Sequence, residues 1–342
     1  MNQATKQIIE LWQNPEFEKK FVYLDEGNLD QCARNLATYK FTPPDWKMKG
    51  AFPENHAAFI SQSLFECAID FCFTNPENTG ERFSVGDLRG SAAMAACFYR
   101  QFENRPVDCK KLIHIMNIKE EAEQFFRGNV AIPLLDERRE FLIETAEELL
   151  NWFDGDPKNL LECASYEAAS SEKNSDKGIL ELLQATFPKT FGSDRMVFQF
   201  GKDQSRSHTL HFNKRAQLWP LVYQGRALNS DGELKPLKNI EEIGPIADCA
   251  VPNALRKYKI LLYEHDFGER IAKRQPIEQY GQEETEIRVA TIYAVAKMLN
   301  DINEARKALS LNEVTIVELD NLLWSIGRNA EEPYHITKTT AY

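Results

Sequence analysis

The chain has 342 residues, enough for one large core or two intimate ones, and its 43% hydrophobic and 27% charged content leaves no segment that composition marks as disordered. Its formal net charge of −11 excludes the basic balance on which non-specific duplex binding depends, yet leaves room for a small anion in a locally positive pocket. No run approaches the ~20 apolar residues of a membrane span, and the first residues lack the apolar core of a signal peptide. The seven cysteines are odd in number and show no CxxC spacing, so they read as buried free thiols of a reducing compartment. A soluble, cytoplasmic protein is the expectation.

Taken in chain order, the predicted elements are mostly helices. Residues 59–73 read as a buried helix, and 82–88 supply a short strand pair. Residues 90–102 form a second helix whose Ala92, Ala93, Ala95 and Ala96 admit a close neighbour. Residues 119–127 are a short helix closed by Gly128 at a left-handed C′ position. Residues 136–153 open with acidic side chains and keep Phe141, Leu142, Ala146, Leu149 and Leu150 on one stripe. A helix over 179–187 is stopped by Pro188. Residues 196–200 and 209–212 alternate with period two around a 201–205 turn, which reads as a hairpin. Asn213 then caps a helix that has Lys214 in its first turn. Pro252 fits the N1 position of a helix running to about residue 263, which leaves Asp248 in the loop that feeds it. A helix over 284–302 follows, and Thr315 with Glu318 forms a capping box for a last helix with Ile316, Leu319, Leu323 and Ile326 inward. The fold class is mainly α with a small β element, and no repeat or linker marks an internal boundary.

Four motifs carry the chemistry: Phe212-Asn213-Lys214-Arg215-Ala216-Gln217, Ala247-Asp248-Cys249-Ala250-Val251-Pro252, Glu284-Thr285-Glu286-Ile287-Arg288 and Leu319-Asp320-Asn321-Leu322-Leu323-Trp324. Asp248, among apolar neighbours and before a helix N-terminus, offers fixed negative charge of the kind an oxocarbenium-like transition state needs; the plainer alternative is a capping aspartate. Lys214 at a helix start is poised for proton transfer, or else is a solvated surface lysine beside Arg215. Asp320 and Trp324 stand at i and i+4, an acceptor beside a flat apolar surface suited to a purine-like base or a diol. Arg288 can grip a phosphate in bidentate fashion, with Lys214 and Arg215 as further cations, unless it pairs with Glu284 one turn back. His208 and His211 point to opposite faces of a strand, which discards a metal reading. Gly201-Lys202 lacks the rest of a phosphate-binding loop.

Together these residues resemble the queuosine-salvage family, the queuosine 5′-phosphate N-glycosylase/hydrolases. Supporting matches are Ile69-Asp70-Phe71-Cys72-Phe73, Gly90, Ile132-Pro133-Leu134-Leu135-Asp136-Glu137-Arg138 and Pro333-Tyr334-His335. The resemblance runs nearly end to end and implies a single domain over residues 1–342 with a helical, DNA-glycosylase-like architecture. It implies release of queuine from queuosine 5′-monophosphate with neither metal nor organic cofactor, and a small nucleotide rather than a nucleic acid or membrane as the partner. It places catalysis on Asp248 and Lys214, and the base pocket on Pro245, Ile246, Asp320 and Asn321; Trp324 and Arg288 are further expected substrate contacts from the spacing and charge arguments above. The chain departs from the family at Ile246, where an aromatic is usual, and at Asp70 and Thr74 in the run around Phe71. Two alternatives stay open. One is a base-excision glycosylase, suggested by Ile243-Gly244-Pro245 ahead of Asp248. The other is a non-catalytic nucleoside-binding protein on the same fold.

Overall fold

A computed structural model describes residues 1–78, 80–171, 178–201 and 205–342. In chain order its elements are α1 (Gln3–Gln13), β1 (Val22–Leu24), α2 (Glu26–Leu36), α3 (His56–Ala68), β2 (Ser84–Val85), β3 (Leu88–Arg89) and α4 (Ser91–Phe102). Then come α5 (Cys109–Asn117), α6 (Lys119–Phe125), α7 (Leu135–Phe153), α8 (Pro157–Cys163), α9 (Ile179–Thr186), β4 (Arg195–Phe200) and β5 (Arg206–His211). The chain finishes with α10 (Lys214–Leu228), α11 (Ala250–Lys257), β6 (Leu261–Tyr263), α12 (His265–Ala272), α13 (Gln282–Ala308) and α14 (Ile316–Arg328). Helices dominate, and the strands pair only as two-stranded antiparallel ladders among the described residues, in keeping with a mainly α protein. The turn of the β4–β5 hairpin, at 202–204, lies outside the described residues.

Two compact units divide the chain, and the first comprises Met1–Pro44, Arg195–Lys214 and Ile240–Lys338. Its spine is α13, with Glu283 and Glu284 in the first turn and Arg306 and Lys307 in the last, a charge order that suits the helix dipole. The backbone amides of Lys20, Phe21 and Val22 donate to the Glu286 Oε2 at 3.1, 2.7 and 3.0 Å. Those charge-assisted bonds fasten β1 to the helix, and β1 in turn pairs with β6 in the register Val22↔Tyr263. The expected long helix ending near residue 263 is thereby corrected: α11 stops at Lys257, because Leu261–Tyr263 is drawn into a ladder with a strand from the other end of the sequence. Pro252 is the third residue of α11 rather than the first, still within the turn whose amides need no intrahelical acceptor. The last residues of the unit are held by the Asn253 side chain, which donates to the Glu332 carbonyl at 2.7 Å, and by Arg256, which donates to the Pro333 carbonyl at 2.9 Å.

Asp45–Asp194, Arg215–Asn239 and Thr339–Tyr342 form the second unit. Its core is organised by fully buried arginines that donate to carbonyls of irregular backbone. Arg138 on α7 bonds Pro133, Cys72, Ile69 and Phe71, and its guanidinium lies 4.4 Å from the Phe71 ring centre. Arg226 on α10 reaches Trp46 and Pro53 at 2.9 and 2.8 Å over the Phe59 ring. Such groups satisfy loop carbonyls that no helix or ladder reaches. Gly128 does not take the left-handed conformation expected of it; a Cβ there would stand 2.5 Å from the Phe83 ring and 2.6 Å from the Ser84 carbonyl, so close approach is what requires glycine. All seven cysteines are free, but Cys163 is exposed and Cys249 half-buried, against the expectation of buried thiols throughout.

Within the first unit α11 packs against α14, and Gly327, near the C-terminal end of α14, meets the start of α11 backbone to backbone. A Cβ at that position would fall 1.9 Å from the Ala250 carbonyl oxygen, a backbone atom that cannot step aside alone. Gly327→Ala is therefore expected to lose about 1–3 kcal/mol in denaturant unfolding, the usual scale of overpacking. A variant as stable as the wild type would show that the crossing tolerates separation.

Candidate active site

The candidate site lies in the first unit, on three separate pieces of its architecture: the start of α10, the loop before α11, and α14. Strand β5 ends at His211, and Asn213 at φ +53° turns the chain sharply into α10. Asparagine is among the few residues that accept this left-handed conformation at little cost. The turn delivers Lys214 as the first residue of α10, and its side chain is only 3% exposed, which rules out the solvated surface lysine. Its neighbour Arg215 belongs to the second unit. There Arg215 donates to the Ala68 carbonyl and, at 3.3 Å, to Ser193 Oγ, with its guanidinium 4.7 Å from the Phe141 ring centre. That arginine is spent on the core and is withdrawn as a phosphate ligand.

Asp248 is half-buried in the loop before α11, and its Oδ1 accepts from the Ala250 and Val251 amides, both at 2.8 Å. The capping alternative is thus real, and it coexists with a functional one. Two amides at a helix N-terminus bind the charged form of the carboxylate and fix its direction. Around it, Ile243, Pro245, Ile246 and Ala247 are buried, so the charge stands on an apolar shelf.

Asp320, on the second turn of α14, completes the cluster. Its residue surface remains partly accessible, but its Oδ1 is sealed from solvent and has no hydrogen-bond partner among the described residues. Burial and then the charge of Asp248 push the Asp320 carboxyl up to about 8, while a hydrogen bond from the Ile246 amide and the charge of Lys214 pull it back. The sealed Oδ1, rather than the accessible remainder of the residue, decides that balance. Lys214, Asp248, Asp320 and the Ile246 backbone are therefore one electrostatic group. Asn321 and Trp324 flank it half-buried on α14, and the Arg328 guanidinium lies 4.5 Å from the Trp324 ring centre. The flat indole surface expected for a base carries that cation nearby.

Arg288 takes the intrahelical pairing. It is fully buried, 3.7 Å from Glu284, with its guanidinium 3.9 Å from the Phe212 ring centre, two residues before Lys214. His335, in the terminal motif, is also buried; desolvation, then Arg256 and Arg288, push its imidazole down to about 3, so it is uncharged at any physiological pH. Sequence reasoning missed two contributors: the Ile246 amide, which acts through backbone rather than side chain, and the burial that raises the Asp320 carboxyl. No residue-level pattern announces either one. The Phe212 ring stood inside a motif already singled out, and an arginine in the neighbouring motif was the available signal.

Comparison with known proteins locates these residues in a family. The model of the family described as "Queuosine salvage protein" matches residues 54–342. The chain is 28% identical to the queuosine 5′-phosphate N-glycosylase/hydrolase of Sphaerobacter thermophilus, over 99% of this chain and 96% of that one. It is 29% identical to the Bos taurus protein of the same name, over 94% of each, and 27% identical to that of Dictyostelium discoideum, over 86% of this chain and 80% of the relative. With the match covering far more than half of its length, the chain belongs to the queuosine salvage protein family.

Proposed function

We propose that the protein is an N-glycosidic hydrolase that cleaves queuosine 5′-phosphate and releases the free base queuine, the activity for which its relatives are named. The observation that carries this reading is the partly buried Lys214–Asp248–Asp320 group, two carboxyls and one cation on apolar ground. Cleavage of an N-glycosidic bond builds positive charge on the sugar and negative charge on the departing base, and a site must meet both. Asp248, held by two amides, faces the developing oxocarbenium with charge that needs no reorganisation. Lys214 balances the carboxyl pair and keeps Asp248 oriented. Pro245, Ile246, Asn321 and Trp324 line the base side, and Arg288 steadies Phe212, hence the turn that presents Lys214.

The direct test incubates the protein with queuosine 5′-monophosphate and looks for free queuine by mass spectrometry. Asp248→Asn keeps the shape and removes the charge, so kcat is expected to fall at least ~10²-fold. Lys214→Met is expected to cost a similar factor while substrate binding persists. Near wild-type hydrolysis by a folded Asp248→Asn protein removes Asp248 from the chemistry.

The phosphate supplies a second prediction from the same assay. The relatives are named for a 5′-phosphate substrate, and a charge-assisted bond contributes roughly 1.5–3 kcal/mol, so kcat/KM for the 5′-monophosphate should exceed that for the bare nucleoside by about tenfold or more. Equal values would mean that the phosphate goes unread.

A further inference from the structure

With Asp248 facing the sugar, the other end of the scissile bond still lacks a partner. When the C1′–N bond breaks, its electron pair stays on the base, and the neutral product needs a proton there. A donor must be uncharged or cationic before the reaction, and must present its hydrogen without an internal partner competing for it.

Asp320 meets these conditions by position. The Ile246 amide fixes its carboxyl from one side, while Oδ1 is buried without a partner among the described residues. An anionic oxygen left so would be costly, whereas a hydroxyl there is a donor in waiting. The charged groups that face it are Asp248, from the loop before α11, and Lys214, from the first residue of α10. Further along α14, at Gly327, the helix meets α11 through the backbone of Ala250 and Ala254, with no charged side chain at that contact. On its own helix, Glu318 is engaged by Thr315, and Arg328 lies over Trp324. Two carboxyls with one lysine in a shared, partly dry site are the arrangement in which one carboxyl keeps its proton.

We propose that Asp320 is the proton donor to the departing base, a role that rests on the hydrolase reading above. The Asp320 O–H bond breaks as a bond from that hydrogen to the base forms, and the C1′–N electron pair becomes a lone pair on the base. Water oxygen bonds to C1′; its released proton passes to Asp248 and then, directly or through solvent, restores Asp320. One water is consumed, and one sugar hydroxyl and one protonated base result. The carboxyl, pushed up to about 8, holds its proton at neutral pH and gives it up on the alkaline side.

Two substrates separate this role from a binding one: queuosine 5′-monophosphate, and 4-nitrophenyl ribofuranoside 5-phosphate, whose phenolate departs without a proton. In the wild type, kcat/KM for the nucleotide should decline with a midpoint near pH 8, and the nitrophenyl substrate should show no such decline. Asp320→Asn can donate a hydrogen bond but no acidic proton. It should lose ~10²-fold in kcat on the nucleotide with KM within a few-fold, lose the alkaline decline, and cleave the nitrophenyl substrate at near wild-type rate.

Stability gives an independent reading. Between about pH 4, where the unfolded aspartate titrates, and about pH 8, the native state holds one proton more than the unfolded chain, so this group makes stability fall as pH rises. The melting temperature of Asp320→Asn relative to wild type should therefore climb across that window and level off above it. An equal loss on both substrates, or an alkaline decline shared by both in the wild type, overturns the proton-donor role. The second comparison needs no variant to fold. Asp248→Asn should be slow on both substrates; if it is not, the hydrolase reading of the site fails, whatever Asp320 does.

Discussion

The backbone contact between Gly327 and Ala250 sets the spacing on which the candidate site depends. Ala250 opens α11 and donates its amide to Asp248, so wherever α14 seats against α11, the Asp248 carboxylate is seated too. Asp320 lies seven residues before Gly327, close to two full helical turns, so the two share a face of α14. A side chain at the crossing would wedge the helices apart by more than a hydrogen bond can stretch. Here the absence of a Cβ is what brings two carboxyls near enough to feel each other.

Much of this was legible in the sequence, and the failures have a common cause. The capping box at Thr315 and Glu318 forms as expected, because cap, partner and first turn lie within four residues. The acidic start and apolar stripe of α7 were equally local signals. Residues 261–263 were misread as helix because their partner, β1, stands in the first two dozen residues and nothing nearby announces it. Gly128 shows the same limit: its need is for room beside Phe83 and Ser84, and tertiary room leaves no periodic trace. For the candidate site, the motifs singled out Lys214, Asp248 and Asp320, three groups that interact electrostatically in the structure. The charge state of Asp320 was out of reach, since it depends on sealed Oδ1, on Asp248 and on the Ile246 amide at once.

Arginines within motifs tempt a ligand-binding reading, and this chain shows why burial must be weighed first. Arg138, Arg215 and Arg226 all end on carbonyl oxygens of loops, with aromatic rings against their planes. A planar group with five donors can satisfy several orphan carbonyls from one stem, which a lysine cannot do. Arg288 differs only in choosing Glu284 and Phe212. Lys214, one residue from Arg215, is the buried cation that joins the carboxyl pair. Adjacent helical residues point about 100° apart, so neighbours in a motif can serve wholly different masters.

The charge count of the cluster explains why a proton on Asp320 matters to both halves of an N-glycosidic cleavage. In the proposed mechanism, a proton on Asp320 leaves a single carboxylate beside one lysine, so a neutral glycosidic bond can enter without repulsion or undue attraction. As the bond lengthens in the proposed reaction, positive charge grows on the sugar, on the side assigned to Asp248, and negative charge on the base. A neutral acid beside the base becomes a better donor as that negative charge grows, while an ionised Asp320 would oppose it at the same distance. Partial burial amplifies both effects, because the local dielectric is lower than that of water. The same burial that makes an ionised Asp320 expensive thus supplies the protonated form that the proposed base end requires, whereas two backbone amides donate to Asp248.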